Sequence, residues 1–220
     1  MEAVFVGTGE TAQSPAVADA LERARGKGVR IFELGPGVVE RVADTVTPQP
    51  LLAVVRTPGA VLDDLAAATF VVVCVDVRDP GNAGAVIRSA DAAGADGVVC
   101  CAGTVDPFNP KTVRASAGSV LHLPVVAGAD PGDVLDTLAG RGMRCLAAVA
   151  HGGTPYTEVD LVGPLALVLG NEAAGLPDEL GARLEHRLTI PMAGRAESLN
   201  VSMAAAVLCF EVRRARSRPL

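Results

Sequence analysis

Apolar residues fall along this chain in short unbroken runs, separated by stretches in which Ala, Leu and Val recur at helical spacing. The runs at 3–6, 29–34, 51–55, 70–75, 97–101, 121–126, 143–150, 165–169 and 187–190 predict strands. Helices are predicted over 12–25, 36–43, 82–93, 110–118, 133–140, 177–184 and 198–214, most ending at Gly or opening near Pro. Phe70-Val71-Val72-Val73-Cys74-Val75 is apolar on both faces, as a buried parallel strand requires. Strand and helix alternate from there on. The expected fold is therefore α/β, a parallel sheet with helices on both faces. Residues 1–56 form a smaller α/β block. Residues 57–69, with Pro58-Gly59 and an Ala/Asp-rich stretch, are expected as a linker helix, and 70–220 as the main domain.

Three Gly/Asn-rich turns follow predicted strands. They are Asp79-Pro80-Gly81-Asn82-Ala83-Gly84, with Arg88 further on; Gly170-Asn171-Glu172-Ala173-Ala174-Gly175; and Ile190-Pro191-Met192-Ala193-Gly194, leading into Glu197-Ser198-Leu199-Asn200. Ligands of open α/β sheets sit outside the carboxyl ends of the strands, where such turns gather. Small residues let a ligand approach the backbone, and Asn, Glu, Ser and Arg supply directed polar contacts. Asn82 and Ser198 are expected as N-caps of the helices that follow them. The second turn has no Lys after its glycine and is not a P-loop.

Composition narrows the class. Half of the residues are hydrophobic and 3% are aromatic, so the core is built from Ala, Val and Leu. No apolar run reaches membrane-spanning length, and the N-terminus does not read as a secretory signal. The five cysteines form no C-x-x-C pair and read as buried free thiols of a cytoplasmic protein. His122, His151 and His186 are scattered singly, so no metal site is expected. The net charge of −6 argues against a surface coated in basic patches. The basic tail, Arg213 to Arg218, complements the dipole at the end of the last helix.

The segments Asn82-x-Gly84-x-x-x-Arg88-x-Ala90, Leu167-Val168-Leu169-Gly170-Asn171-Glu172-x-x-Gly175-Leu176 and Ile190-Pro191-Met192-x-Gly194-x-x-Glu197-Ser198-Leu199-Asn200-Val201-Ser202 resemble the three signature motifs of the SpoU (TrmH-type) RNA 2′-O-ribose methyltransferases of the SPOUT superfamily, in order and spacing, over roughly residues 70–215. The resemblance implies a C-terminal trefoil knot and a homodimer with S-adenosylmethionine held in the knot beside the partner subunit. It also makes residues 1–56 similar to part of an L30e-like RNA-binding domain. By the same resemblance Leu169, Gly170, Asn171, Ile190, Met192, Ser198 and Leu199 hold the cofactor. Arg88 contacts the target ribose, either helping to remove its proton or holding the flanking phosphate and the developing alkoxide. Asn82, Glu172, Ser198 and Asn200 position the reactants, and Lys111 and Arg114 contact RNA phosphates. Ribosomal RNA is the first expectation for the substrate, transfer RNA the second.

Two other classes compete. Gly7-Thr8-Gly9-Glu10-Thr11-Ala12 after the first strand fits G-x-G-x-x-A, and Glu33 ends the next strand, as in an NAD-dependent enzyme. A non-catalytic RNA-binding protein of the same fold is the other, against which Arg88, Glu172, Ser198 and Asn200 speak.

Overall fold

Ten short strands and six helices arise from the pattern above in a computed structural model that describes residues 1–43 and 47–217. Arg218 of the basic tail lies outside the described residues. The chain divides into two units, Met1–Thr57 and Pro58–Leu220.

In the smaller unit β1 (Ala3–Val6), α1 (Pro15–Gly26), β2 (Arg30–Glu33), α2 (Val38–Val42) and β3 (Leu51–Val54) follow one another. The strands lie in the order β2-β1-β3, with β2 parallel and β3 antiparallel to β1. The Gly7–Ala12 turn does not make a dinucleotide site. It runs into a 3-10 turn, Glu10–Gln13, before α1 begins behind its Ser14 cap. A Cβ on Gly7 would meet Val39 Cγ2 at 2.8 Å, so the open side of this glycine is filled by a side chain. The cavity beside it is about 30 Å³, room for about one water molecule.

The larger unit holds β4 (Phe70–Cys74), α3 (Pro80–Ala93), β5 (Gly97–Cys100), α4 (Pro110–Ala115), β6 (Val125–Ala127), α5 (Pro131–Gly140), β7 (Arg144–Ala148), β8 (Thr154–Pro155), β9 (Leu165–Leu169), β10 (His186–Thr189) and α6 (Val201–Arg216). Its seven strands lie in the order β6-β5-β4-β9-β7-β10-β8, all pairs parallel. Alternate residues of the central strands feed opposite faces. Phe70, Val72, Cys74, Leu165, Leu167 and Leu169 pack with α3 and α6, while Val71, Val73, Ala166 and Val168 pack with α5. Residues 58–69 do not form the expected linker helix along their length. They are helical only over Leu62–Leu65, and Leu65 is buried in the second of these layers.

Three helices of this unit open with a capping side chain followed by Pro: Asp79-Pro80, Asn109-Pro110 and Asp130-Pro131, each cap accepting from a first-turn amide. The stretch 177–184, expected as an α-helix, is a 3-10 helix over Asp178–Arg183, and the strand expected over 121–126 is reduced to β6 because Gly118, at φ +95°, starts a 3-10 turn over Ser119–Leu121. All five cysteines are free and buried. Burial pushes Cys209 up to about 12; a hydrogen bond with Cys100 and then burial raise Cys74. At the other end of α6, Arg216 donates to the Thr69 and Gly163 carbonyls and lies 5.4 Å over the Phe70 ring, so this part of the basic tail is spent on the fold.

Gly84 sets how closely α3 and α4 approach. A Cβ there would lie 2.5 Å from both Ala115 Cβ and the Thr112 carbonyl oxygen. Backbone cannot yield as a side chain does, so Gly84→Ala is expected to destabilise this unit by about 1–3 kcal/mol. Tyr156, the chain's single tyrosine in the absence of tryptophan, reports on the larger unit alone. Its fluorescence in urea should show a lower midpoint at unchanged slope; an unchanged midpoint would contradict the tight crossing.

Candidate active site

The loops that leave β4, β9 and β10 emerge at the carboxyl edge of the sheet, beside the place where the chain, having run outward from β4 through β5 to β6, returns to lay β9 on β4's other side. That is the crevice in which parallel sheets bind ligands. A cavity of about 290 Å³ opens there. Its floor is Leu169, Leu188 and Leu208, its walls the loop 170–176 and residues 148–150 after β7, and its rim Ile190, Met192, Ser198 and Leu199.

Every residue proposed above for the cofactor, Leu169, Gly170, Asn171, Ile190, Met192, Ser198 and Leu199, lines this one cavity. Gly170 is required by geometry, because a Cβ on it would fall 2.5 Å from the Gly175 carbonyl carbon. That contact closes the loop: Asn171 and Gly175 exchange backbone hydrogen bonds of 2.9 Å in both directions. The Asn171 side chain works inside the protein. Its Oδ1 accepts from the Ala173 and Ala174 amides, and its Nδ2 donates to the Asp76 carbonyl at 2.9 Å.

Glu172, Asn82 and Asn200, distant in sequence, meet in one chain of hydrogen bonds. Asn82 Nδ2 donates to Glu172 Oε1 at 2.8 Å, and Asn200 Nδ2 donates to Asn82 Oδ1 at 2.9 Å. Asn200 Oδ1 then accepts from the backbone amide and the hydroxyl of Ser202, at 2.8 and 2.7 Å. The expected caps are shifted by this arrangement. Asp79, not Asn82, caps α3, and Asn200, not Ser198, caps α6. The shift frees the Asn82 side chain for Glu172 and leaves the Ser198 side chain exposed at the cavity rim.

Arg88 is not gathered with them. It is exposed on α3 and makes no hydrogen bond or ion pair among the described residues. Six residues on from Asn82, it is turned about 120° around the helix axis and lies about 9 Å further along it. Lys111 and Arg114 sit on α4, outside the cavity, with both residues exposed.

Sequence reasoning passed over Asp76 and Arg78. Asp76 holds a left-handed conformation, φ +57°, and its Oδ1 accepts from Arg78 Nε at 2.8 Å. That hydrogen bond, with the carboxylate charge, raises Arg78 above its ordinary value. The available signal was an acid set directly between a buried strand and an Asp-Pro turn. Residues 148–150, which wall the cavity, carried no motif at all.

The cavity fits S-adenosylmethionine. It has aliphatic walls for a flat ring and a loop whose backbone can be approached closely, with polar groups where the strand ends open. Gly170→Ala is expected to weaken binding of this cofactor at least about tenfold by isothermal calorimetry, since the added carbon pushes apart the loop that forms the wall. Binding at the original strength would show that the loop is not the wall of the cofactor site.

Residues 69–210 match the model of the SpoU rRNA Methylase family. The 23S rRNA (guanosine(2553)-2′-O)-methyltransferase RlmP of Bacillus subtilis is 40% identical over 186 residues, 84% of this chain and 73% of that protein. A 23S rRNA (uridine(2479)-2′-O)-methyltransferase of Streptomyces viridochromogenes is 37% identical over 176 residues, 77% of this chain and 61% of its own length. Among solved structures, the SpoU methyltransferase AviRb of Streptomyces viridochromogenes in complex with AdoMet superposes with a TM-score of 0.81 at 29% identity, covering 97% of this chain and 82% of that one. An AdoMet-bound rRNA methyltransferase from Sinorhizobium meliloti gives 0.82 at 33% identity, covering 97% and 79%. With its three loops in the family's order and the family model covering well over half of its length, the chain belongs to the SpoU rRNA methylase family.

Proposed function

We propose that this protein transfers a methyl group from S-adenosylmethionine to a ribose 2′-hydroxyl of ribosomal RNA, working as a homodimer in the cytoplasm. The observation that carries the reading is the chain of hydrogen bonds joining Asn82, Glu172 and Asn200 beside the cavity of about 290 Å³. The two curated relatives described above are named as 23S rRNA enzymes, which favours ribosomal over transfer RNA. No helix among the described residues is long and apolar enough to cross a membrane. The smaller unit would serve as the L30e-like RNA-binding element, and the return of α6 against α3 and β9 supports the knotted C-terminal half.

Bound in the cavity, the cofactor supplies a methyl group on a positively charged sulfur. The residues have three tasks: to align the ribose oxygen behind that methyl, to lower the cost of the hydroxyl's lost proton, and to exclude water. Glu172 can only accept hydrogen bonds when ionised, so it turns the Asn82 amide toward itself and fixes the orientation of Asn200 in turn. The three loops are thereby held in one register. Ser198 and Leu199 at the rim face the entering nucleotide. Arg88 is permanently charged and is suited to hold the alkoxide or the adjacent phosphate rather than to take a proton.

On its own chain Arg88 is exposed and does not line the cavity, so its place in the reaction is assigned to the assembled dimer. Met203, Val207 and Phe210 form an apolar stripe at i, i+4, i+7 on α6, exposed by 61, 37 and 49%. A second copy covering this stripe would remove it from water.

Arg88→Ala is expected to lower tritiated methyl transfer to rRNA about 100-fold or more while leaving cofactor affinity in place. Equal mixtures of Arg88→Ala and Glu172→Gln subunits should regain about a quarter of the activity, because half of the dimers then carry one complete site. Undiminished turnover of Arg88→Ala would remove this residue from the chemistry, and absence of recovery on mixing would place it in its own subunit's site. Phe210→Glu should elute as a monomer in size-exclusion chromatography with light scattering; a retained dimer would place the interface elsewhere.

A further inference from the structure

Behind the cavity wall, tied to it through Asn171, stands a side chain that the reaction scheme above does not use. Arg78 follows β4 and precedes the α3 cap by one residue. Its side chain is 74% exposed, yet it is not loose: its Nε donates to Asp76 Oδ1 at 2.8 Å. Asp76 is itself held by Asn171. Its carbonyl and its Oδ2 both accept from Asn171 Nδ2, at 2.9 and 3.2 Å, which ties it to the cofactor loop. Gly103, at φ +89°, leaves the carboxylate its space, since a Cβ there would stand 3.2 Å from Asp76 Oδ1. And Asp76 holds φ +57°, a left-handed conformation that costs a non-glycine residue about 1 kcal/mol or more. Strain of this kind persists where the surroundings over-determine it.

The anchor uses one of the five guanidinium N–H groups and leaves both Nη groups without a partner among the described residues. Glu172 lies within electrostatic reach of the same guanidinium. An RNA strand approaching this edge meets Asp76, Asp79 and Glu172, three carboxylates that repel phosphate, on a chain with a net charge of −6. A fixed cation with two free donors in parallel is the group that offsets this and accepts a phosphate in a fork.

We propose that Arg78 is a further substrate-binding residue, contacting an RNA phosphate next to the methylated ribose, and that Asp76 is its positioning residue, coupling that contact to the loop that holds the methyl donor. The inference rests on the RNA-methylating function proposed above. It differs from a purely local Asp76–Arg78 ion pair in what it requires of RNA binding.

The test uses the full chain and an unmodified in vitro transcript of 23S rRNA. Arg78→Ala should raise the KM for the transcript about tenfold, leave the calorimetric affinity for S-adenosylmethionine unchanged, and reduce the slope of log affinity against log salt by about one, as loss of a single phosphate contact does. Asp76→Gly retains the backbone carbonyl that Asn171 uses and suits a positive φ, so it should fold and bind the cofactor normally. It too should raise the KM for RNA. The double variant should be no worse than Arg78→Ala, because both changes remove the same contact. Arg78→Lys, which keeps the charge but not the fork, should recover the salt slope but only part of the KM. An unchanged KM and salt slope in Arg78→Ala would overturn the proposal, as would effects of the two substitutions that simply add. RNA binding that depends on Arg78 without methyl transfer would count against the proposed function alone. Methyl transfer with Arg78-independent binding would count against this inference alone, and absence of RNA binding by the wild type would overturn both.

Discussion

A carboxylate that can only accept sets the direction of the hydrogen bonds on which this site depends. Glu172 takes the Nδ2 of Asn82, which leaves Asn82 Oδ1 to face Asn200; Asn200 must then present its own Nδ2, and its oxygen turns to the first-turn amide of the final helix. Orientation thus passes from the loop after β9, through the first turn of α3, to the start of α6. Each bond contributes only about 1 kcal/mol net, rising to about 1.5–3 kcal/mol where the carboxylate takes part. What they contribute together is register: three segments separated by up to 118 residues are held to within hydrogen-bond tolerance of one another. A site for in-line displacement needs that, because an error of an ångström in the attacking oxygen is costly.

Around this relay the chain uses small residues to bring backbones close. The loop after β9 turns on Gly170 against Gly175, and α3 crosses α4 over Gly84. A core of Val, Leu and Ala with almost no aromatics is compatible with these approaches, since flat strand faces and narrow helix surfaces let the loops at the strand ends lie side by side. Of the two non-glycine residues with positive φ among the described residues, Asp76 and Ala117, Asp76 stands where two of the loops are stitched together.

Much of this was legible in the sequence, for identifiable reasons. The continuous apolar runs at 70–75 and 165–169 became the central strands β4 and β9, the latter to the residue, because a strand buried on both faces has no polar position to blur its ends. The second and third turns line one cavity, and the first joins them only through Asn82's hydrogen bonds to Glu172 and Asn200, because parallel topology puts their loops on one edge. Capping was misjudged at both helices. Asp79-Pro80 is a stronger start than Asn82, and Asn200 outcompetes Ser198 because only it can cap α6 and reach Asn82 at once. That Arg88 lies outside the cavity lining depends on helical phase relative to a cavity that the sequence does not draw. The left-handed turn at Asp76 is decided by tertiary contacts with Asn171 and Gly103, which no local pattern encodes. The Gly7–Ala12 turn fits the dinucleotide pattern without making the site, because glycine spacing alone cannot say whether a ligand or a side chain, here Val39, fills the space.

The most direct measurement is a crystal structure of the dimer with S-adenosylmethionine bound. The adenosine is expected between the loop 170–176 and residues 190–192, the methyl group opening toward Asn82 and Asn200, and a guanidinium of the neighbouring subunit within hydrogen-bond reach of the space behind it. A cofactor bound away from these loops, or a dimer that leaves Arg88 far from the methyl group of either site, would contradict this arrangement.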